Sequence, residues 1–285
     1  MTGLLVVRPG PLTTVQDLGR RGVAHLGVPR AGALDEPALR AANRLVGNPA
    51  GTAGLETTLG GVTLRAVGPQ LVAVTGGPAA VRLDGRPVAW GAAVAVPDGS
   101  VLDLGPATHG VRGYLAVAGG LTVPPVLGSR SADLLSGLGP APLTVGQLLP
   151  VGPPFASDRA DLVPLPAPPA ELVLRLQPGP HLDWFAAAAR PLLARSRYLV
   201  GPASNRIALR TEGPPLPRAR ADELPSEGMV LGAVQVPPDG RPMVFLADHP
   251  TTGGYPVIGV VPAADLPAAA QTRPGTPVRF VPLTR

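Results

Sequence analysis

From Leu55 to about Leu121 the chain is written as short apolar runs parted by Gly, Pro or Asp-Gly: Val62 to Val67, Leu71 to Thr75, Ala80 to Leu83, Val88 to Trp90, Ala93 to Val96, Val101 to Leu104 and Arg112 to Val117. Turn residues that recur about every ten positions between runs of β-branched residues predict the antiparallel strands of a sandwich or barrel. Asp84-Gly85 between two such runs predicts a hairpin turn. The second half repeats the pattern at Glu171 to Leu176, Arg206 to Thr211, Met229 to Val236, Met243 to Leu246, Val257 to Val261 and Val278 to Val281. Two stretches have helical spacing instead. Asp35 stands as a cap before residues 36–46, with Pro37 in the first turn, apolar Ala38, Leu39, Ala42, Leu45 and Val46, and Gly47 as a stop. Asp183 to Arg190 predicts a short helix ended by Pro191. The fold class expected is mainly β with a few short helices.

Composition sharpens this picture. With 45% hydrophobic residues but only 3% aromatic ones, the interior must be filled by alanine, valine and leucine. The 39 prolines and 37 glycines punctuate apolar runs and do not form low-complexity tracts, so they predict turns rather than disorder. A length of 285 residues favours two domains. The Pro-rich stretch 151–169 is the expected linker, between an N-terminal β domain at 1–150 and a C-terminal one at 170–285.

Charge and missing residue types exclude several chemistries. The net charge is +5 and there is no lysine, so any anion must be held by arginine or backbone amides. The arginines are scattered without aromatic interleaving, which argues against nucleic acid as a partner. Zero cysteines rule out a disulfide framework, a thiol nucleophile and a cysteine zinc site. His25, His109, His181 and His249 are widely spread and predict no metal site. The run Leu4 to Val7 is too short for a signal peptide and no run approaches the ~20 apolar residues of a membrane span, so a cytoplasmic location is expected.

Polar, glycine-bounded segments are the candidates for chemistry. Thr13 to Gly22 packs Gln16, Asp17 and Arg20 into one loop; Asp17 there either serves function, or pairs with Arg20 or caps a turn. Glu56 enters an apolar strand, where a carboxylate needs a partner. Gly128 to Asp133 offers amides, hydroxyls and an arginine to an anion, or a capped turn. In the second half, Asn205 and Arg206 precede one strand, Ser226-Glu227-Gly228 precedes another that carries Gln235, and Asp248, His249, Thr251, Thr252, Gly253, Gly254 and Tyr255 form the densest polar stretch. Glycines there can admit a ligand to the backbone, and Asp248 or His249 could exchange protons. No Walker sequence, G-x-G-x-x-G turn or G-x-S-x-G elbow is present.

Taken in order, TTVQDLGRRG, GVPRAGALDEPALRAANRLVGNP, GLETTLGG, RGYLAVAGG, LGSRSADLLSGLG, GPHLDWF, SNRIALR, SEGMVLGAVQVP and DHPTTGGYP span nearly the whole chain. The sequence resembles the third component of the bacterial three-part 5-oxoprolinases, their C subunits, the family also termed biotin-dependent carboxyltransferase or allophanate hydrolase subunit 2. The resemblance implies tandem cyclophilin-like β-barrels. It also implies a complex with a sister (B-type) subunit related to allophanate hydrolase subunit 1 and with a lactam-utilisation-type (A-type) subunit. It implies ATP-dependent opening of 5-oxoproline to glutamate by the complex, without indicating which component binds ATP. Catalytic roles then fall to Asp17, Glu227, Asp248 and Tyr255, and substrate binding to Gln16, Arg20, Glu56, Asn205, Arg206, Gln235, Thr251 and Thr252. Two other outcomes are compatible with it: a carboxyltransferase acting on a urea-like or amide substrate, with biotin carried by a partner protein, and a non-enzymatic regulator that binds its sister subunit in a sensor-kinase pathway. The family often has a lysine after TTGGYP, where this chain has Val257.

Overall fold

The computed structural model describes residues 2–156, 158–165, 167 and 169–283. It divides into two compact units, Met1–Arg20 with Ala31–Pro168 and Arg21–Arg30 with Pro169–Arg285. The fold is mainly β, as the short apolar runs imply.

The first unit is a pair of sheets. One contains β1 (Gly3–Arg8), β4 (Thr63–Val67), β6 (Ala79–Leu83), β7 (Arg86–Val88), β9 (Val101–Ala107) and β11 (Leu148–Pro150), in the order β11-β1-β4-β9-β6-β7. The other contains β2 (Thr13–Gln16), β3 (Gly54–Thr58), β5 (Gln70–Gly76), β8 (Ala93–Val96) and β10 (Arg112–Val117), in the order β2-β3-β10-β5-β8. Leu4, Val6, Leu64, Leu102 and Leu104 from the first sheet meet Val15, Leu55, Val72, Val74, Leu115 and Val117 from the second in one buried cluster whose fully buried members are all Leu, Val or Ala. Each such side chain contributes about 1.5–3 kcal/mol on burial. The β6–β7 connection is the expected Asp84-Gly85 turn, with φ of 48° and 79° at its two residues and Leu83 paired to Arg86. Positive φ at both central positions matches the right-handed twist of the flanking strands.

Helix α1 (Glu36–Leu45) follows the cap residue Asp35, whose side chain accepts from Ala38 N at 3.0 Å. Its Ala42 and Leu45 pack with Ala73 and Ala116 of the second sheet. The expected linker, 151–169, includes residues 157, 166 and 168, which lie outside the described residues. Its first part is held to this unit: Ala160 N donates to Arg44 O at 3.1 Å and Val163 N to Gly91 O at 2.8 Å.

The second unit is a closed barrel of β12 (Leu172–Pro178), β13 (Tyr198–Val200), β14 (Ala208–Glu212), β16 (Ala233–Gln235), β17 (Met243–Phe245), β19 (Val257–Val260) and β20 (Pro277–Pro282). The closure is made by β12 and β20, which run parallel from Leu172↔Val278 to Leu176↔Pro282. Outside the barrel, β15 (Glu227–Gly228) pairs with β18 (Thr252–Gly253). Gly259 is required where β19 crosses β12, because a Cβ there would lie 2.4 Å from Leu176 Cγ.

The helix expected at Asp183 to Arg190 is displaced. A 3-10 turn occupies Leu182–Trp184, and α2 runs from Ala189 to Arg195, with α3 later at Leu266–Gln271. Pro191 lies in the first turn of α2 and does not end a helix. The first amides of a helix have no intrahelical acceptor, so a residue without an N–H is tolerated there.

Candidate functional site

In the first unit Asp17 leaves the end of β2 buried, with both carboxylate oxygens engaged. Oδ1 accepts from Gly19 N at 2.8 Å, Ser129 Oγ at 2.6 Å and Ser131 Oγ at 2.6 Å, while Oδ2 accepts from Arg130 N at 2.6 Å. Arg20, 2% exposed, donates from Nε to Val126 O at 3.0 Å and from Nη2 to Ser131 O at 2.5 Å. Asp17 and Arg20 do not pair with each other in these contacts. Both clamp the segment 126–131, so the Arg130 amide and the Ser129 and Ser131 hydroxyls, candidates to bind an anion, are bonded to Asp17. Gln16 donates to Thr14 Oγ1 at 3.1 Å and to Ala132 O at 3.0 Å, and its Oε1 is buried with no partner among the described residues.

Residues 33–35 bridge Asp17 to Glu56. Ala33 N donates to Asp17 O, Leu34 N to Glu56 Oε2 at 3.0 Å, and Asp35 N to Tyr114 Oη at 2.8 Å, while Tyr114 Oη donates to Glu56 Oε2 at 2.8 Å. The partner that Glu56 needed on its apolar strand is therefore a phenol. Burial, followed by the charges of Glu56 and Asp35, pushes the Tyr114 phenol well above the usual range.

In the second unit Arg206 and Asp248 form a buried two-point ion pair, at 2.9 Å from Nε and 2.8 Å from Nη2. Asn205 accepts Ile207 N at 2.8 Å and Ala208 N at 3.2 Å on its side-chain oxygen, a turn that starts β14. His249 stacks on Phe245 with ring centroids 5.6 Å apart.

The remaining residues gather around the β15–β18 pair. Glu227 faces Gly253 across it. Gln235, 2% exposed, donates to Tyr255 O at 3.1 Å and approaches Met229 Sδ at 3.3 Å. Gly253 permits this, since a Cβ there would lie 2.7 Å from Gln235 Nε2. Thr251 O accepts from Met229 N at 2.8 Å, Thr252 is exposed on β18, and Tyr255 is 43% exposed. Sequence reasoning passed over His181 here: its Nε2 lies 3.3 Å from Glu227 Oε2 and its Nδ1 accepts from Val257 N at 3.1 Å. The signal was the Gly-Pro turn of GPHLDWF directly after a β-run. It passed over Arg218 too, whose Nη2 donates to Val236 O at 2.6 Å and whose Nε is buried with no partner among the described residues.

Residues 26–282 match the family model described as carboxyltransferase domain, subdomain A and B. The chain belongs to this carboxyltransferase domain family. The C subunit of the 5-oxoprolinase of Escherichia coli is 40% identical over 283 residues, covering 98% of this chain and 90% of that protein. The crystal structure of TTHA0988 superposes with a TM-score of 0.90 at 40% identity, covering 99% of this chain and 56% of that one. The urea carboxylase of Kluyveromyces lactis superposes with a TM-score of 0.90 at 30% identity, covering 99% of this chain and 27% of that one. The chain thus spans about half of the first of those structures and about a quarter of the second. No helix among its described residues is long and apolar enough to cross a membrane, and no group of three or more His, Asp and Glu among them could hold a metal ion.

Proposed function

We propose that the chain is the C subunit of an ATP-dependent 5-oxoprolinase, opening the lactam of 5-oxoproline to glutamate only in company with the sister and lactam-utilisation-type subunits. The observation that carries this reading is the 40% identity to a protein named as the C subunit of a 5-oxoprolinase, sustained over 98% of this chain and 90% of that one.

The chemistry at the β15–β18 pair supports it. Lactam hydrolysis must add water to a resonance-stabilised carbonyl and hand a proton to the departing amine. ATP supplies the phosphoryl group that activates the amide oxygen, the net change being an ATP and two waters consumed for glutamate, ADP and phosphate. Glu227, with its side chain 38% exposed, is the proton carrier of this chain. Arg218, a guanidinium held by a backbone carbonyl, supplies positive charge for an anionic group of the reactant. Tyr255 and Thr252 are exposed hydroxyl-bearing residues on and after β18. Arg206 and Asp248 act one step back, fixing segments of the barrel, as Asp17, Arg20 and Glu56 fix the loops of the first unit.

The test is reconstitution. The purified chain mixed with both of those subunits should release glutamate from 5-oxoproline when ATP is added, the chain alone should not, and Glu227→Gln should lower the rate at least tenfold in an assembly that still forms. An intact assembly without glutamate release overturns the reading.

The similarity to K. lactis urea carboxylase favours one alternative, transfer of a carboxyl group from biotin to a urea-like or amide nitrogen. With no lysine in the chain, biotin would have to arrive on a partner protein. Biotin-dependent incorporation of labelled bicarbonate into the substrate, with no glutamate release, would select it.

A further inference from the structure

Glu227 sits on a strand of only two residues, and a carboxylate half exposed on so short an element has little in its own backbone to fix it. The fixing contact comes from the turn after β12. His181 lies in that turn, Gly179-Pro180-His181, where Gly179 N donates to Ile258 O at 3.0 Å and His181 N to Val257 O at 3.4 Å. In return Val257 N donates to His181 Nδ1 at 3.1 Å. The imidazole is thus bound through both its backbone and its ring to a strand of the closed barrel, and its side chain is 11% exposed.

That arrangement sets the tautomer. A backbone N–H can only donate, so Nδ1 must present its lone pair and the ring proton resides on Nε2. Nε2 lies 3.3 Å from Glu227 Oε2. With Oε2 taken, Oε1 is the oxygen of Glu227 that has no partner among the described residues. Gly253 lies opposite Glu227 across the strand pair and brings no side chain of its own to it.

We infer that His181 is a positioning residue, which through the relay Val257 N–H, His181 and Glu227 aims the Glu227 carboxylate so that Oε1 meets the proton of the reacting water or amine. The inference rests on the 5-oxoprolinase reading for the identity of that proton. The relay itself does not depend on it. Val257 takes part in the relay through its backbone amide, whatever its side chain.

Two measurements separate the relay from the reaction. In long-range 1H–15N spectra of the full chain, with His25, His109 and His249 assigned by substitution, His181 should show the Nε2–H tautomer, and Glu227→Gln should shift its Nε2 resonance and leave Nδ1 nearly unmoved. In the reconstituted assembly, His181→Leu should lower kcat at least tenfold with KM changed less than twofold, and His181→Gln, whose amide can still donate to Glu227, should recover most of that loss. An Nδ1–H tautomer, an Nε2 resonance indifferent to Glu227→Gln, or a His181→Leu enzyme with unchanged kcat overturns the inference. If wild-type assembly shows no glutamate release, the functional reading falls, and the spectra alone decide the relay.

Discussion

Arg206 and Asp248 meet through two parallel hydrogen bonds at 2.9 and 2.8 Å with side chains 2% and 0% exposed, and the same two residues are joined again by Asp248 N donating to Arg206 O at 3.1 Å. The pair fastens the turn before β14 to the segment after β17. Removing one partner would leave the other charge buried, which typically costs about 3–5 kcal/mol, whereas replacing both with apolar residues of similar volume is often neutral. Asp248→Ala should therefore lower the urea midpoint far more than the double variant Arg206→Leu, Asp248→Leu. Equal loss in both would mean that the charge pair is not what the barrel depends on there.

Asp17 is expected to behave as an anchor for a distant loop. Its carboxylate takes hydrogen bonds from Ser129, Arg130 and Ser131, and hydrogen bonds to charged groups contribute about 1.5–3 kcal/mol. Asp17→Ala should cost at least about 2 kcal/mol and should speed amide exchange at Arg130 and Ser131 before it does so in β10. Hydrogen-exchange mass spectrometry reads both effects.

Tyrosine ionisation should undo the fold at high pH. Burial raises Tyr198 to about 12, and burial with the nearby charges of Glu56 and Asp35 raises Tyr114 well above its usual range. A phenol raised in the folded state stays neutral there while the unfolded chain ionises near the ordinary value of about 10. Stability from these groups is complete below that value and is lost as pH rises above it. Ultraviolet titration of the folded chain should show the phenolate absorbance of Tyr114 and Tyr198 missing until unfolding, and Tyr114→Phe and Tyr198→Phe should each remove part of the late rise.

At the acid end the exposed ion pair of Arg175 and Asp265 should matter modestly. Hydrogen bonds from Arg175 hold the Asp265 carboxyl below its usual range, its main bond being 2.6 Å from Nη2. A lowered carboxyl contributes stability above the unfolded pKa of about 3.9, and that contribution is lost as pH falls through the folded one. Asp265→Asn should cost no more than about 1 kcal/mol at pH 7, because the arginine is half exposed. The gap from wild type should close in melts at progressively lower pH.

Local patterns carried much of the fold. The helix after Asp35 is written in its cap, its Pro37 and its apolar spacing, and the Asp84-Gly85 turn in its own dipeptide. These signals act over a few residues, so a single sequence displays them. Pro191 misled because a proline at a helix start and one after a helix end look alike until the cap is known. Three of the four donors to the Asp17 carboxylate stand more than a hundred positions away in sequence, and the partners of Glu56 include an amide and a phenol on other elements. Such pairings belong to the tertiary fold, and no periodicity announces them. His181 was hidden for the same reason: its importance lies in Glu227 and Val257, both distant in the chain.

The parallel seam between β12 and β20 has a consequence for how the molecule is made. The strand that opens the second unit, beginning at Leu172, must wait for the strand ending at Pro282 before the ring can shut. A nascent chain on the ribosome would therefore hold an unclosed sheet with a bare edge until β20 has emerged, and a deletion that removes only the β20 segment should leave that edge open for good.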